Sequence, residues 1–103
     1  MNIIRNRDKS ILLRLKIHKN ICEQLHYLYK TKNADYGDSF AKVRQELGDL
    51  AILVRLCDKM ERLKTLLLVG EQRVKDEAID DTLLDIANYA ILELVERGAD
   101  GEF

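Results

Sequence analysis

Apolar residues recur at three- and four-residue steps along three long segments of this chain, and no proline interrupts any of them. That spacing lines up side chains on one face of a helix at every turn, a period that an alternating strand cannot satisfy. The supply of residues agrees: Leu, Ile, Lys, Arg, Asp and Glu dominate, and β-branched runs are short. Of the five glycines, Gly70, Gly98 and Gly101 fall in expected turns or the tail. The fold class that follows is all-α, with three main helices.

The first helix is expected from Ser10, a good N-cap, to about Thr31. Ile11, Leu15, His18, Cys22, Leu25 and Tyr29 form its seam toward a partner. The stretch KTKNADYGDSF then breaks the pattern, because Asn33, Asp35, Gly37, Asp38 and Ser39 are loop and capping residues. Its acids lack the alternation and the distal glutamate of a calcium loop. A second helix is expected from Phe40 to Leu68, bent near Gly48. A third starts between Gln72 and Ala78 and ends near Arg97, with Gly98 as its stop.

Residues 1–103 read as one domain with a core over 10–97 and a frayed tail over 98–103. The second and third helices are apolar over more than half their circumference, too broad a face for one neighbour. The expected architecture is therefore an antiparallel helical bundle completed by homo-oligomerisation, as a dimer or tetramer. The formal net charge of −1 supplies no global basic field, so nucleic acid and anionic membranes are not expected partners. The longest apolar runs, such as LLLV at 66–69, are too short to span a bilayer. No apolar stretch follows the basic N-terminus as in a secretory signal, and a cytoplasmic location is expected. Cys22 and Cys57 lack metal-type spacing and read as buried reduced thiols. His18 reads as a core or interface histidine, with no second histidine or acid at metal-binding spacing.

The third helix carries an anomaly. In DDTLLDIANYAILELVE, Asp81, Asp85 and Asn88 stack into one polar line that runs beside the apolar face. The second helix repeats it: Glu46 projects into the apolar arc of Leu50, Leu53 and Cys57, Glu61 lies close to that arc, and Asp49 and Asp58 lie at its edges. A buried carboxylate needs a cation or a metal. Carboxylates on two facing helices suit Mg²⁺ or Mn²⁺, and Arg55, Lys59, Arg62 and Lys64 follow in the same segment. A metal site beside cations is the arrangement expected for a nucleoside triphosphate.

The series KNADYGDSF, RLCDKMERLKTL and VKDEAIDDTLLDIANYAILELVE resembles a small helical family of bacteria and their phages, nucleotide modification associated domain 1. The resemblance covers residues 20 to 96. That family is similar in turn to the all-α, MazG-like and dimeric-dUTPase nucleoside triphosphate pyrophosphohydrolases. These carry a paired-acid motif on each of two helices, bind Mg²⁺, and release a monophosphate and pyrophosphate as dimers or tetramers. Under this resemblance Asp85 matches the terminal acid of the second motif. Its companion three residues earlier is Thr82 here, so Asp81 substitutes. The first motif falls on Asp58 and Glu61, or on Glu46 before Gly48, and the choice among Glu46, Asp49 and Glu61 stays open.

The function implied is a metal-dependent pyrophosphohydrolase acting on a standard or modified dNTP. Glu46, Asp58, Glu61, Asp81 and Asp85 would hold Mg²⁺ or Mn²⁺, with Glu46, Asp58, Asp81 and Asp85 in the catalytic set. Arg55, Lys59 and Arg62 would meet the phosphates, and Lys32, Asp35, Tyr36 and Asn88 the nucleoside. Two alternatives stand beside it. A binding or sensing module would take up nucleotide without products. A structural helical dimer would satisfy its acids with arginines and bind neither nucleotide nor metal.

Overall fold

The computed structural model describes residues 2–36, 39–69 and 72–101, with side chains placed for 7–32, 39–69 and 76–101. Gly37 and Asp38, the latter a proposed cap, lie outside the described residues. All regular structure among the described residues is helical: α1 (Asn2–Tyr36), α2 (Ser39–Leu47), α3 (Leu50–Leu68) and α4 (Gln72–Ala99). The all-α expectation holds, with four helices where three were expected. The chain divides into two compact units, residues 1–35 and 36–103.

The first unit is essentially α1, and it corrects two boundaries. Ser10 is not a cap but an interior helical residue whose hydroxyl accepts a hydrogen bond from Arg14 Nη1. The helix also runs through Lys32, Asn33 and Asp35 to Tyr36, where a loop was expected. Loop-favouring side chains are weak signals against a helix already propagating, since each added residue gains a backbone bond at little further cost.

In the second unit the expected helix over 40–68 is two helices. Gly48 has φ 61°, a left-handed conformation that glycine adopts without steric cost, and its N–H bonds the Arg44 carbonyl at 2.7 Å to close α2. Asp49 then leads α3 but makes no side-chain capping bond. Its carboxylate lies 3.3 Å from Arg97 of α4 instead. At the far end, α4 continues through Gly98. The left-handed residue is Gly101 at φ 82°, with Gly101 N–H bonded to the Gly98 carbonyl at 3.1 Å. Gly98 is therefore not the stop.

α3 packs against α4, and α2 against α3. Ile52, Leu56, Lys59, Leu63 and Leu66 are half-buried at four- and three-residue steps, forming the α3 face turned to its neighbours. On α4 the corresponding positions are Thr82, Asp85, Ile86, Tyr89 and Glu93. Lys59 meets Asp85 while Arg55 meets Tyr89, so residue numbers rise along α3 as they fall along α4: the pair is antiparallel.

Ala51, 2% exposed, is the one fully buried apolar side chain described in this unit. The enclosed position holds only a methyl group. Ala51→Leu is expected to cost about 1–3 kcal/mol through overpacking. Denaturant melting checks it, and unchanged stability would show that this contact is loose.

Both cysteines are free and exposed in the single chain, which corrects their reading as buried thiols. They share that exposure with a broad apolar surface. Leu50, Leu53, Val54, Met60, Leu67 and Leu68 of α3 and Leu83, Ile91 and Leu94 of α4 are all at least 40% exposed.

Candidate functional site

Three helices converge on one polar and aromatic cluster. Lys59 Nζ of α3 stands 3.1 Å from Asp85 Oδ2 of α4, with the lysine 28% and the aspartate 45% exposed. One turn along both helices, the Arg55 guanidinium lies over the Tyr89 ring, 5.9 Å from its centroid. The other neighbour of Tyr89 is Phe40 of α2, at 6.0 Å between ring centroids and tilted by 54°. Asn88 is half-buried beside this pair in sequence. A carboxylate, two cations, an amide and two rings thus occupy about two turns of the α3–α4 contact. Such groups can bind phosphate by charge and a base by stacking.

Helix phase explains why these side chains meet. Residues 55 and 59 are four apart, as are 85 and 89, so each pair projects from one face. The exposure of Asp85 matters as well: Lys59 compensates its charge, and solvent remains available to a ligand.

The other expected acids are not brought together in this chain. Asp81 is exposed, although it belongs to the same sequence line as Asp85. Thr82, 1% exposed, occupies the inward position, and its hydroxyl donates to the Ala78 carbonyl at 2.7 Å. The helix thus buries a hydroxyl where the resemblance implied a carboxylate. Asp58 is exposed, and Glu61, also exposed, pairs with Lys64 of its own helix at 3.3 Å. Glu46 belongs to α2 and is exposed, because the turn at Gly48 takes it out of phase with Leu50, Leu53 and Cys57. Arg62 and Lys32 are exposed. The side chains of Asp35 and Tyr36 lie outside the described residues.

Among the described residues, no three His, Cys, Asp or Glu side chains stand close enough to hold a metal ion. The described residues of one chain thus hold no three-ligand set for the expected metal.

The buried carboxylate is one that the sequence reasoning missed. Glu93, 7% exposed, accepts bonds from Arg44 Nε at 2.9 Å, Arg44 Nη2 at 3.2 Å and Arg97 Nε at 2.7 Å. Arg44 Nη1 also reaches Asp100 Oδ2 at 2.7 Å, and Arg97 Nη2 reaches Asp49 Oδ1 at 3.3 Å. Five charged side chains thus tie α2 and the start of α3 to the end of α4. The Arg44 bond, offset in part by burial, holds the Glu93 carboxyl below its ordinary range. The bonds that Arg44 donates to Glu93 and then to Asp100 raise its guanidinium above its own ordinary range. A signal existed: Thr82, Ile86, Tyr89 and Glu93 follow the 4, 3, 4 spacing of an inward face, and Glu93 is the acid on it.

No helix among the described residues is long and apolar enough to cross a membrane. The sequence model of the family described as nucleotide modification associated domain 1 matches residues 32–96, from the end of α1 through most of α4. No curated protein and no solved structure matches the chain.

Proposed function

From the premise that this chain belongs to the nucleotide modification associated domain 1 family, we propose that it binds a deoxynucleoside triphosphate along the α3–α4 face. There, as a homodimer or homotetramer with Mg²⁺ or Mn²⁺, it splits the nucleotide into monophosphate and pyrophosphate. The observation that carries this reading is the cluster of Lys59 against Asp85 with Arg55 over Tyr89, inside the matched residues. Lys59 and Arg55 neutralise phosphate oxygens, Tyr89 and Asn88 meet the nucleoside, and Asp85 is the acid at the reacting end.

The oligomer belongs to the same proposal. Apolar side chains left exposed on α3 and α4 forgo roughly 1.5–3 kcal/mol each relative to full burial. A second chain that covers them also brings further carboxylates toward Asp85, where the described residues of one chain hold no three-ligand set.

A specific observation favours a second reading, nucleotide binding without turnover. Thr82 fills the buried position where a paired acid would stand, and Asp81 points to solvent.

A panel of standard and modified dNTPs with Mg²⁺ or Mn²⁺, read for pyrophosphate and phosphate, separates the two. Pyrophosphate release from one nucleotide is the expected outcome. Calorimetric binding without products supports the second reading, and neither binding nor products removes both.

A further inference from the structure

α1 carries a pair of metal-ligating side chains that the nucleotide site does not use. His18 and Cys22 are four residues apart and both exposed, and Cys22 Sγ lies 3.9 Å from His18 Nδ1 and 4.0 Å from Nε2. Sulfur and nitrogen ligands of a tetrahedral zinc ion stand about 3.5 Å apart, given bond lengths of about 2.3 and 2.0 Å. The pair projects from one face of α1, and turning the imidazole so that one nitrogen faces the sulfur brings the two ligands to chelating distance.

The pair also has a defined place in the helix pattern. Ile11, Leu15, His18 and Cys22 follow alternating four- and three-residue steps, the seam of a two-stranded coiled coil. Ile11 is 50% and Leu15 60% exposed, so the seam is uncovered from Ile11 to Cys22, while Leu25, its next apolar position, is buried. Two such seams laid together, parallel or antiparallel about this pair, bring two histidines and two cysteines into adjacent layers.

We propose that His18 and Cys22 form half of a zinc site, completed by His18 and Cys22 of a second copy of this chain. One helix supplies two ligands, and structural zinc takes four in a tetrahedron. Among the described residues one chain offers no third His, Cys, Asp or Glu near enough to close the site. Each Cys22 binds as thiolate and gives its proton to solvent on metal uptake. Soft sulfur and imidazole select zinc over the hard ions expected at carboxylates. These residues precede the family match, so the site belongs to this chain's own N-terminal helix and stands apart from the nucleotide reading.

The reduced, metal-free full chain is titrated with Co²⁺ and then Zn²⁺. Tetrahedral cobalt with thiolate ligands gives visible bands and a near-ultraviolet charge-transfer band, expected to saturate at one metal per two chains and to vanish as zinc displaces cobalt. Cys22→Ser and His18→Ala each lose the bands, while Cys57→Ser keeps them. All three positions are exposed or helical, so circular dichroism verifies that helix content is kept. Absent bands, saturation at one metal per chain, or bands that survive Cys22→Ser overturn the proposal.

Discussion

Asp85→Asn is expected to lower pyrophosphate release at least ~100-fold while leaving nucleotide affinity within a few-fold of wild type, the loss typical of a group acting at the reacting centre. The substitution keeps the shape and hydrogen-bonding length of the side chain. It removes the charge that Lys59 faces at 3.1 Å. Binding should survive because Lys59, relieved of its partner, remains free to meet phosphate. Stability should change by less than about 1 kcal/mol, because a pair this exposed is screened by solvent. Calorimetric binding, product release and thermal melting on the two proteins check the three statements separately. Turnover that persists in Asp85→Asn would take Asp85 out of the chemistry, and a collapse of the fold would make it a structural acid.

The second large effect concerns Glu93. Glu93→Gln is expected to destabilise the protein by about 2 kcal/mol, less than the loss for a wholly buried ion pair because Arg44 and Arg97 keep Asp100 and Asp49. For a unit of this size that lowers the melting temperature by about 10 °C, compared at equal protein concentration. The wild type should also show an acid transition. Its Glu93 carboxyl sits below the ordinary 4.5 when folded, chiefly through the Arg44 bond. The stabilisation is therefore complete above that value and lost as pH falls from it toward the folded pKa. Melting measured from pH 7 to pH 3 should fall more steeply for wild type than for Glu93→Gln. Parallel curves would mean that Arg44 and Glu93 are not coupled in solution.

These two residues mark where the sequence was legible. Asp85 stood out because an acid beside an apolar face has few explanations, and the structure indeed gives it a cation from the facing helix. Lys59 and Arg55 were readable as cations of the same segment, but their separate partners, Asp85 and Tyr89, depend on an antiparallel register that spacing within one helix cannot supply. Glu46 was misplaced for a related reason. Extrapolating one phase across Gly48 assumes a continuous helix, and a single left-handed residue resets that phase. Asp81 failed through the breadth of the line itself: a four-residue step rotates about 40°, enough to carry it from the edge of the contact into solvent. Glu93 was hidden among Leu92, Leu94 and Val95, where apolar neighbours mask one acid. The helices were legible because periodicity is local. Their ends at Gly48 and Gly101 were less so because each rests on one backbone angle.

The antiparallel α3–α4 hairpin has a bearing on folding speed. Its two helices adjoin in sequence, so Lys59 and Asp85 are brought together by closing a short loop, whereas Arg44 and Glu93 lie 49 residues apart. Loop-closure entropy grows with that separation, and chains rich in near-neighbour contacts fold fast. The Lys59–Asp85 pair therefore needs only the hairpin to exist, while the arginine–glutamate staple must wait for α2 to pack. A chain emerging from the ribosome would hold Lys59 against Asp85 before its last charged contacts close, and pulsed hydrogen exchange should show α3 and α4 protected ahead of α2.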